Sequence, residues 1–167
     1  MLFRRWRELI LFICNHIFCG TRFFNLKRLL LNSCSGIKIG KGTRIVSLKA
    51  SNCSDVTIGE DCWIGSQLSI YGDGKVVIGD RCDFAPEVAI VTGTHEIGDA
   101  NRRAGKGKLM TTMVGDGCWI GARAILMGDI IIGNACIVGA GSLVSKSVSE
   151  NQLVAGVPAK ILRELQE

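Results

Sequence analysis

Aliphatic residues recur every six positions along most of the chain, usually with glycine next. From Val114 the beat is unbroken through Ile120, Leu126, Ile132, Val138 and Val144. Earlier copies stand at Ile39 and Ile45, at Ile58, Ile64 and Ile70, and at Ile78, Phe84 and Ile90, which brings the in-phase positions to fourteen. A six-residue period fits neither a 3.6-residue helix nor an alternating strand. It predicts a short extended segment followed by a corner, repeated until the backbone closes into a coil. This is the signature of a hexapeptide β-helix, in which each inward aliphatic stacks on the one above. Glycine after the aliphatic lets the corner form without a Cβ clash.

Breaks in the beat mark where the wall is interrupted. Two extra residues within Tyr71-Gly72-Asp73-Gly74-Lys75 predict a corner that bulges outward. Between Ile90 and Val114 the beat is silent for 24 residues, equal to four hexads. That stretch is polar and glycine-rich, so a loop over about 92–112 should project from the coil. Long loops on rigid scaffolds commonly carry function. The pattern divides the chain into an N-terminal helical segment (1–35), coils over about 36–150, and a C-terminal turn and helix (151–167), with Pro158 in the first helical turn.

The first segment has its own character. Phe3, Trp6, Leu9, Ile10, Ile13 and Ile17 follow helical spacing, and apolar residues resume at Phe23, Phe24, Leu26 and Leu29 to Leu31. Its thirteen-residue uncharged run, Leu9 to Thr21, is too short to span a bilayer. Two readings stay open: a helical cap over the first coil or a neighbouring subunit, and a basic amphipathic helix on an anionic membrane surface.

The formal charge of +5 sharpens this division. Residues 1–31 hold six basic side chains against Glu8 alone, so the rest of the chain is neutral. A neutral coil argues against a nucleic-acid-binding body, which needs a basic stripe on the folded domain. Eight cysteines invite a disulfide or zinc reading. However, Cys62, Cys82, Cys118 and Cys136 each fall two residues before an in-phase position, where Ala124 and Ser142 stand in other copies. That slot takes a small residue, and cysteine behaves as a small hydrophobe. Cys14, Cys19, Cys34 and Cys53 lie outside it without metal-ligand spacing. Reduced thiols, a cytoplasmic compartment and no metal are the expectation.

Three motifs carry a resemblance: Val91-Thr92-Gly93-Thr94-His95, Cys118-Trp119-Ile120-Gly121, and Ala155-Gly156-Val157-Pro158-Ala159-Lys160. Over about residues 36–165 the chain resembles the hexapeptide-repeat acyltransferases, most closely the sugar O-acetyltransferases, including those of bacterial surface polysaccharides. The resemblance implies a left-handed parallel β-helix, mainly β, assembled as a homotrimer with active sites between subunits. It also implies acetyl-CoA as co-substrate and His95 as the catalytic histidine. An imidazole suits that task, because a sugar hydroxyl must lose its proton as it attacks a thioester. By the same resemblance Trp119 flanks the thioester, Ala122 and Ala140 offer backbone to the pantetheine arm, and Ser145, Lys146, Lys160 and Arg163 meet the phosphates. Cationic side chains at that end are the right chemistry for phosphate.

The acceptor end departs from the family pattern. Asp73 aligns with an acidic residue of the galactoside pocket, but Gly65 stands where the family has an acceptor-binding Asn, with Ser66 and Gln67 beside it. Those departures, and the basic segment 1–31, weigh against simple galactosides. Arg102, Arg103, Lys106 and Lys108 suit an anionic acceptor, or a solvated loop face. Sugar O-acetylation in surface polysaccharide or glycolipid synthesis is the expected function. N-acetylation of a nucleotide-linked amino-sugar is the main rival, and a non-catalytic coil is the other. A zinc anhydrase on this scaffold would need three histidines, and the chain has two.

Overall fold

The computed structural model describes residues 2–51 and 54–166. Cys53 therefore lies outside the described residues. The hexads form a parallel β-helix of about six turns with three faces. The first face stacks Ile37–Ile39, Asp55–Ile58, Lys75–Ile78, Thr111–Val114 and Ile130–Ile132. The second stacks Arg44–Ile45, Trp63–Ile64, Asp83–Phe84, Trp119–Ile120, Ile137–Val138 and Gln152–Gly156. The third stacks Leu48–Ala50, Leu68–Tyr71, Ala89–Val91, Ile125–Met127 and Leu143–Val144.

The six-residue beat is the register of these ladders. Ile39, Ile58, Ile78, Val114 and Ile132 sit directly above one another on the first face. Ile45, Ile64, Phe84, Ile120 and Val138 do the same on the second. All fourteen in-phase residues are buried. Burying each such side chain contributes about 1.5–3 kcal/mol, so this stack is the main stabilising element. Corners are packed as tightly. A Cβ on Gly79 would stand 2.9 Å from the Gly115 carbonyl carbon and 2.2 Å from Asp116 Oδ1, so only glycine permits the coils to approach there.

The four slot cysteines line one inner corner. Each thiol donates to a carbonyl of the following coil: Cys62 to Gly79 at 3.1 Å, Cys82 to Gly115 at 3.0 Å, Cys118 to Gly133 at 3.1 Å and Cys136 to Ser149 at 2.9 Å. Thr43 opens the series by donating to Gly59 O at 2.6 Å. The cysteines among the described residues are free thiols.

A parallel coil begins with an open edge on each face, and unpaired strand edges invite association. The N-terminal helices, Leu2–Phe12 with a widened turn Ile13–Ile17 and then Phe24–Asn32, close all three. On the first face the Asn32 amide donates to Ile39 O at 3.0 Å and accepts from Ile39 N–H at 2.7 Å. On the second, Lys27 Nζ donates to Ile45 O at 3.1 Å and Val46 O at 2.8 Å. On the third, Asn15 donates to Leu48 O at 2.9 Å and accepts from its N–H at 3.1 Å. Arg7, buried at the corner between the third and first faces, donates to Ser54 O and Ser54 Oγ, both at 2.8 Å.

The projecting stretch 92–112 is a β-hairpin, Gly93–Ile97 against Ala104–Leu109. One expectation changes. The C-terminal helix is absent: Ala159–Glu164 is a strand running antiparallel to Gln152–Gly156. The reason is the last strand of the second face, which would otherwise end the sheet with an open edge.

Candidate active site

His95 stands on the outgoing arm of the hairpin, which leaves the coil at the corner between the third and first faces. The root of the hairpin is fixed by Thr92. Its buried hydroxyl donates to Tyr71 O at 3.1 Å and accepts from Gly74 N–H at 3.2 Å. The bulged corner, with Asp73, is thus held against the strand that leads to His95. A Cβ on Gly74 would lie 2.1 Å from Met110 O, so glycine is required where bulge and hairpin meet. The return arm is tied to the next coil by Lys108, whose Nζ is 3.3 Å from Asp129 Oδ2. Asp129 also accepts the Thr111 N–H at 2.8 Å, and that contact, with Lys108, lowers its carboxyl below the usual range. Thr92 and Asp129 position the arm. Thr92 lay inside a recognised motif, but nothing in the sequence marked the Lys108–Asp129 tie.

His95 is exposed and faces Gly107 across the hairpin. Asp73 is exposed one coil earlier at the same corner, accepting a hydrogen bond from Ser51 Oγ. Ser145 and Lys146 occupy that corner further along, where the C-terminal hairpin folds over them. With Lys160 and Pro158 they line a groove of about 380 Å³. Arg163, no longer on a helix, lines a separate depression with Glu164, Leu165 and Gln166.

The remaining candidates lie elsewhere on the coil. Ala122 and Ala140 stack at the corner between the second and third faces, lining a depression of about 490 Å³ with Pro86, Glu87, Arg123 and Gly141. Gln67 occupies the same corner two coils earlier, in a left-handed conformation with φ 61°. Its backbone N–H donates to Ser47 Oγ at 2.6 Å. Trp119 lies on the adjoining second face and is 56% exposed. Trp63, its counterpart two coils before, is covered: its ring meets Phe24 edge-on at 5.8 Å, and the Arg44 guanidinium lies 5.0 Å from its centroid. The predicted site residues therefore fall into two separate groups. His95, Asp73, Ser145 and Lys146 mark one corner, while Trp119, Ala122, Ala140 and Gln67 mark another.

Among the described residues there is no group of three side chains able to hold a metal ion. Of the loop cations, Lys108 is paired with Asp129 and Arg103 reaches Gly98 O at 3.4 Å, so these two help hold the hairpin.

Comparison with known proteins agrees with this architecture. The model of bacterial transferase hexapeptide repeats matches residues 111–146, and that of the hexapeptide repeat of succinyl-transferase matches 55–83. Galactoside O-acetyltransferase of Escherichia coli (strain K12) is 31% identical over 114 residues, which cover 68% of this chain and 56% of that protein. WcaF, named as an acetyltransferase of colanic acid biosynthesis in the same organism, is 29% identical over 133 residues, covering 79% of this chain and 71% of its own. The chain thus spans little more than half the length of the galactoside enzyme. Among solved structures, a galactoside acetyltransferase in complex with coenzyme A superposes with a TM-score of 0.85 at 25% identity, covering 99% of this chain and 82% of that one. A hexapeptide-repeat acetyltransferase of Vibrio cholerae complexed with acetyl-CoA gives 0.86 at 22% identity, covering 99% and 88%. The coil is accordingly the left-handed β-helix.

Proposed function

The chain belongs to the hexapeptide-repeat acyltransferase family, and we propose that it transfers an acetyl group from acetyl-CoA to a sugar hydroxyl, with His95 as general base. The observation that carries this reading is the exposed imidazole of His95 on a hairpin whose root and return arm are both fixed. The acceptor hydroxyl gives its proton to the imidazole as its oxygen attacks the thioester carbonyl. Collapse of the tetrahedral intermediate expels the thiolate, which takes the proton from the imidazolium, so acetyl-sugar and free CoA leave together. No acyl-enzyme is needed, and no nucleophilic Ser or Cys motif accompanies His95.

The separation of these two groups of residues supports catalysis between subunits. A three-fold assembly of parallel coils sets one protomer's hairpin corner beside the next protomer's corner of Ala122 and Ala140. His95 and Asp73 then come from one subunit, and Trp119 with the two alanines from its neighbour. Ser145, Lys146 and Lys160 hold the phosphate end of CoA, where compact ammonium groups are suitable. The acceptor belongs to surface polysaccharide or glycolipid synthesis, a reading supported by the likeness to WcaF.

The test is thiol release from acetyl-CoA with neutral sugars, nucleotide-linked sugars and nucleotide-linked amino-sugars. Release with a hydroxyl-only acceptor, giving an ester labile to mild base, supports the proposal. Release confined to amino-sugars, giving a base-stable amide, assigns N-acetylation instead.

A further inference from the structure

The two N-terminal helices have opposite characters on their two sides. Inward, Arg7, Ile10, Cys14, Lys27 and Leu31 are buried over the first coil. Outward, Phe3, Trp6, Leu9, Phe12, Ile17 and Phe23 are exposed, from 45% for Trp6 to 77% for Phe3. At the helical period, Leu9 and Phe12 fall on one strip with Arg5, opposite the buried residues, and Trp6 flanks it with its indole N–H donating to Ser33 Oγ at 3.1 Å. Phe3, Arg5, Trp6 and Leu9 line a cleft of about 440 Å³ beside Ser33. Arg5 and Arg22 are exposed, while Glu8 is the single acid in the first 31 residues.

Exposed apolar residues gathered in this way on one helical segment mark an interaction surface. Its occupant must be apolar and anionic together. A second copy meeting it face to face would set Arg5 and Arg22 against themselves. A bilayer with anionic headgroups supplies both properties, with aromatic rings at the acyl boundary and arginines among the phosphates. Among the described residues no helix is long and apolar enough to cross a membrane, so the helices would lie in its plane.

We propose that this face docks the protein on an anionic membrane surface, with the coil's capped end toward the lipid. Deleting the segment would not test this, because Asn15, Lys27 and Asn32 close the coil. The test is co-sedimentation of the full chain with vesicles of phosphatidylcholine alone and of phosphatidylcholine mixed with phosphatidylglycerol. Thermal unfolding and particle size are measured for every variant. The expected result is binding to the phosphatidylglycerol vesicles that weakens with salt. A Leu9→Ser, Phe12→Ser variant should bind at least about tenfold more weakly, and Arg5→Ala about fivefold more weakly, with unfolding temperature and size unchanged. Failure of the wild type to bind either vesicle, or equal binding by the variants, overturns the proposal. If the apolar variant changes particle size while the wild type ignores vesicles, the face is a contact between copies and the proposal fails.

Discussion

His95 stands directly opposite Gly107 in the antiparallel hairpin, and a Cβ built on Gly107 would meet nothing within 4 Å. Side chains of paired residues in such a ladder share one face, so glycine at 107 leaves the space beside the imidazole open. Gly107→Val should leave the unfolding temperature unchanged, because neither space nor backbone conformation forbids a side chain. Turnover should fall about tenfold or more, the cost of displacing a group that must meet the acceptor closely. Unfolding curves and kcat on the purified variant check both halves.

The cations of the C-terminal groove should act on cofactor affinity rather than chemistry. In the proposed role, Lys146→Ala or Lys160→Ala would remove one charge-assisted contact to phosphate, each worth about 1.5–3 kcal/mol. KM for acetyl-CoA should rise about tenfold or more, with kcat nearly unchanged. Arg163→Ala, in a different depression, should have the smaller effect.

Much of this was legible in the sequence, for a physical reason. The hexad is a local pattern repeated in register, so the wall, its inward residues and the cysteine slot can be read without knowing what packs outside. Features that depend on distant neighbours could not be read this way. Trp63 and Trp119 occupy the same motif, yet Phe24 covers one and leaves the other exposed. Arm residues 104–109, Ala-Gly-Lys-Gly-Lys-Leu, have weak strand propensity, and their pairing is supported by contacts distant in sequence, at Thr92 and between Lys108 and Asp129. Pro158 suggested a helix start, but the open edge of the second face captured the following residues as a strand. The capping roles of Asn15, Lys27 and Asn32 had no signal at all, since polar helical residues ordinarily face water.

Lys27 gives the sharpest test of that cap. Its ammonium serves Gly20 O, Ile45 O and Val46 O at 2.8, 3.1 and 2.8 Å and is 1% exposed. Lys27→Met keeps most of the volume but leaves the buried Ile45 carbonyl without this donor, at a cost of about 1–3 kcal/mol, and removes the part-buried bonds to Gly20 and Val46 as well. Stability in urea should fall by at least about 2 kcal/mol, whereas Lys49→Met, at an exposed position, should change little.

The Cys14 thiol offers a pH signature. Burial pushes it up to about 11 from an ordinary value of 9.0. In the unfolded chain it ionises at the lower value, so the unfolded state holds fewer protons between the two. Its contribution to stability is complete below pH 9 and is lost as pH rises toward 11. Cys14→Ala should flatten that part of the alkaline stability profile. At pH 8.5 iodoacetamide should label exposed Cys19 well before Cys14, as peptide mass spectrometry would show.

Removal of the acceptor proton by His95 is tested most directly by comparing His95→Ala with wild type. Acetyl-CoA binding would be followed by calorimetry and turnover by thiol release, with an acceptor that the wild type uses. Acetyl-CoA affinity should stay within about threefold of wild type while kcat falls by about 100-fold or more, the range for loss of a general base. Unchanged turnover, or a defect confined to acetyl-CoA binding, would contradict that role.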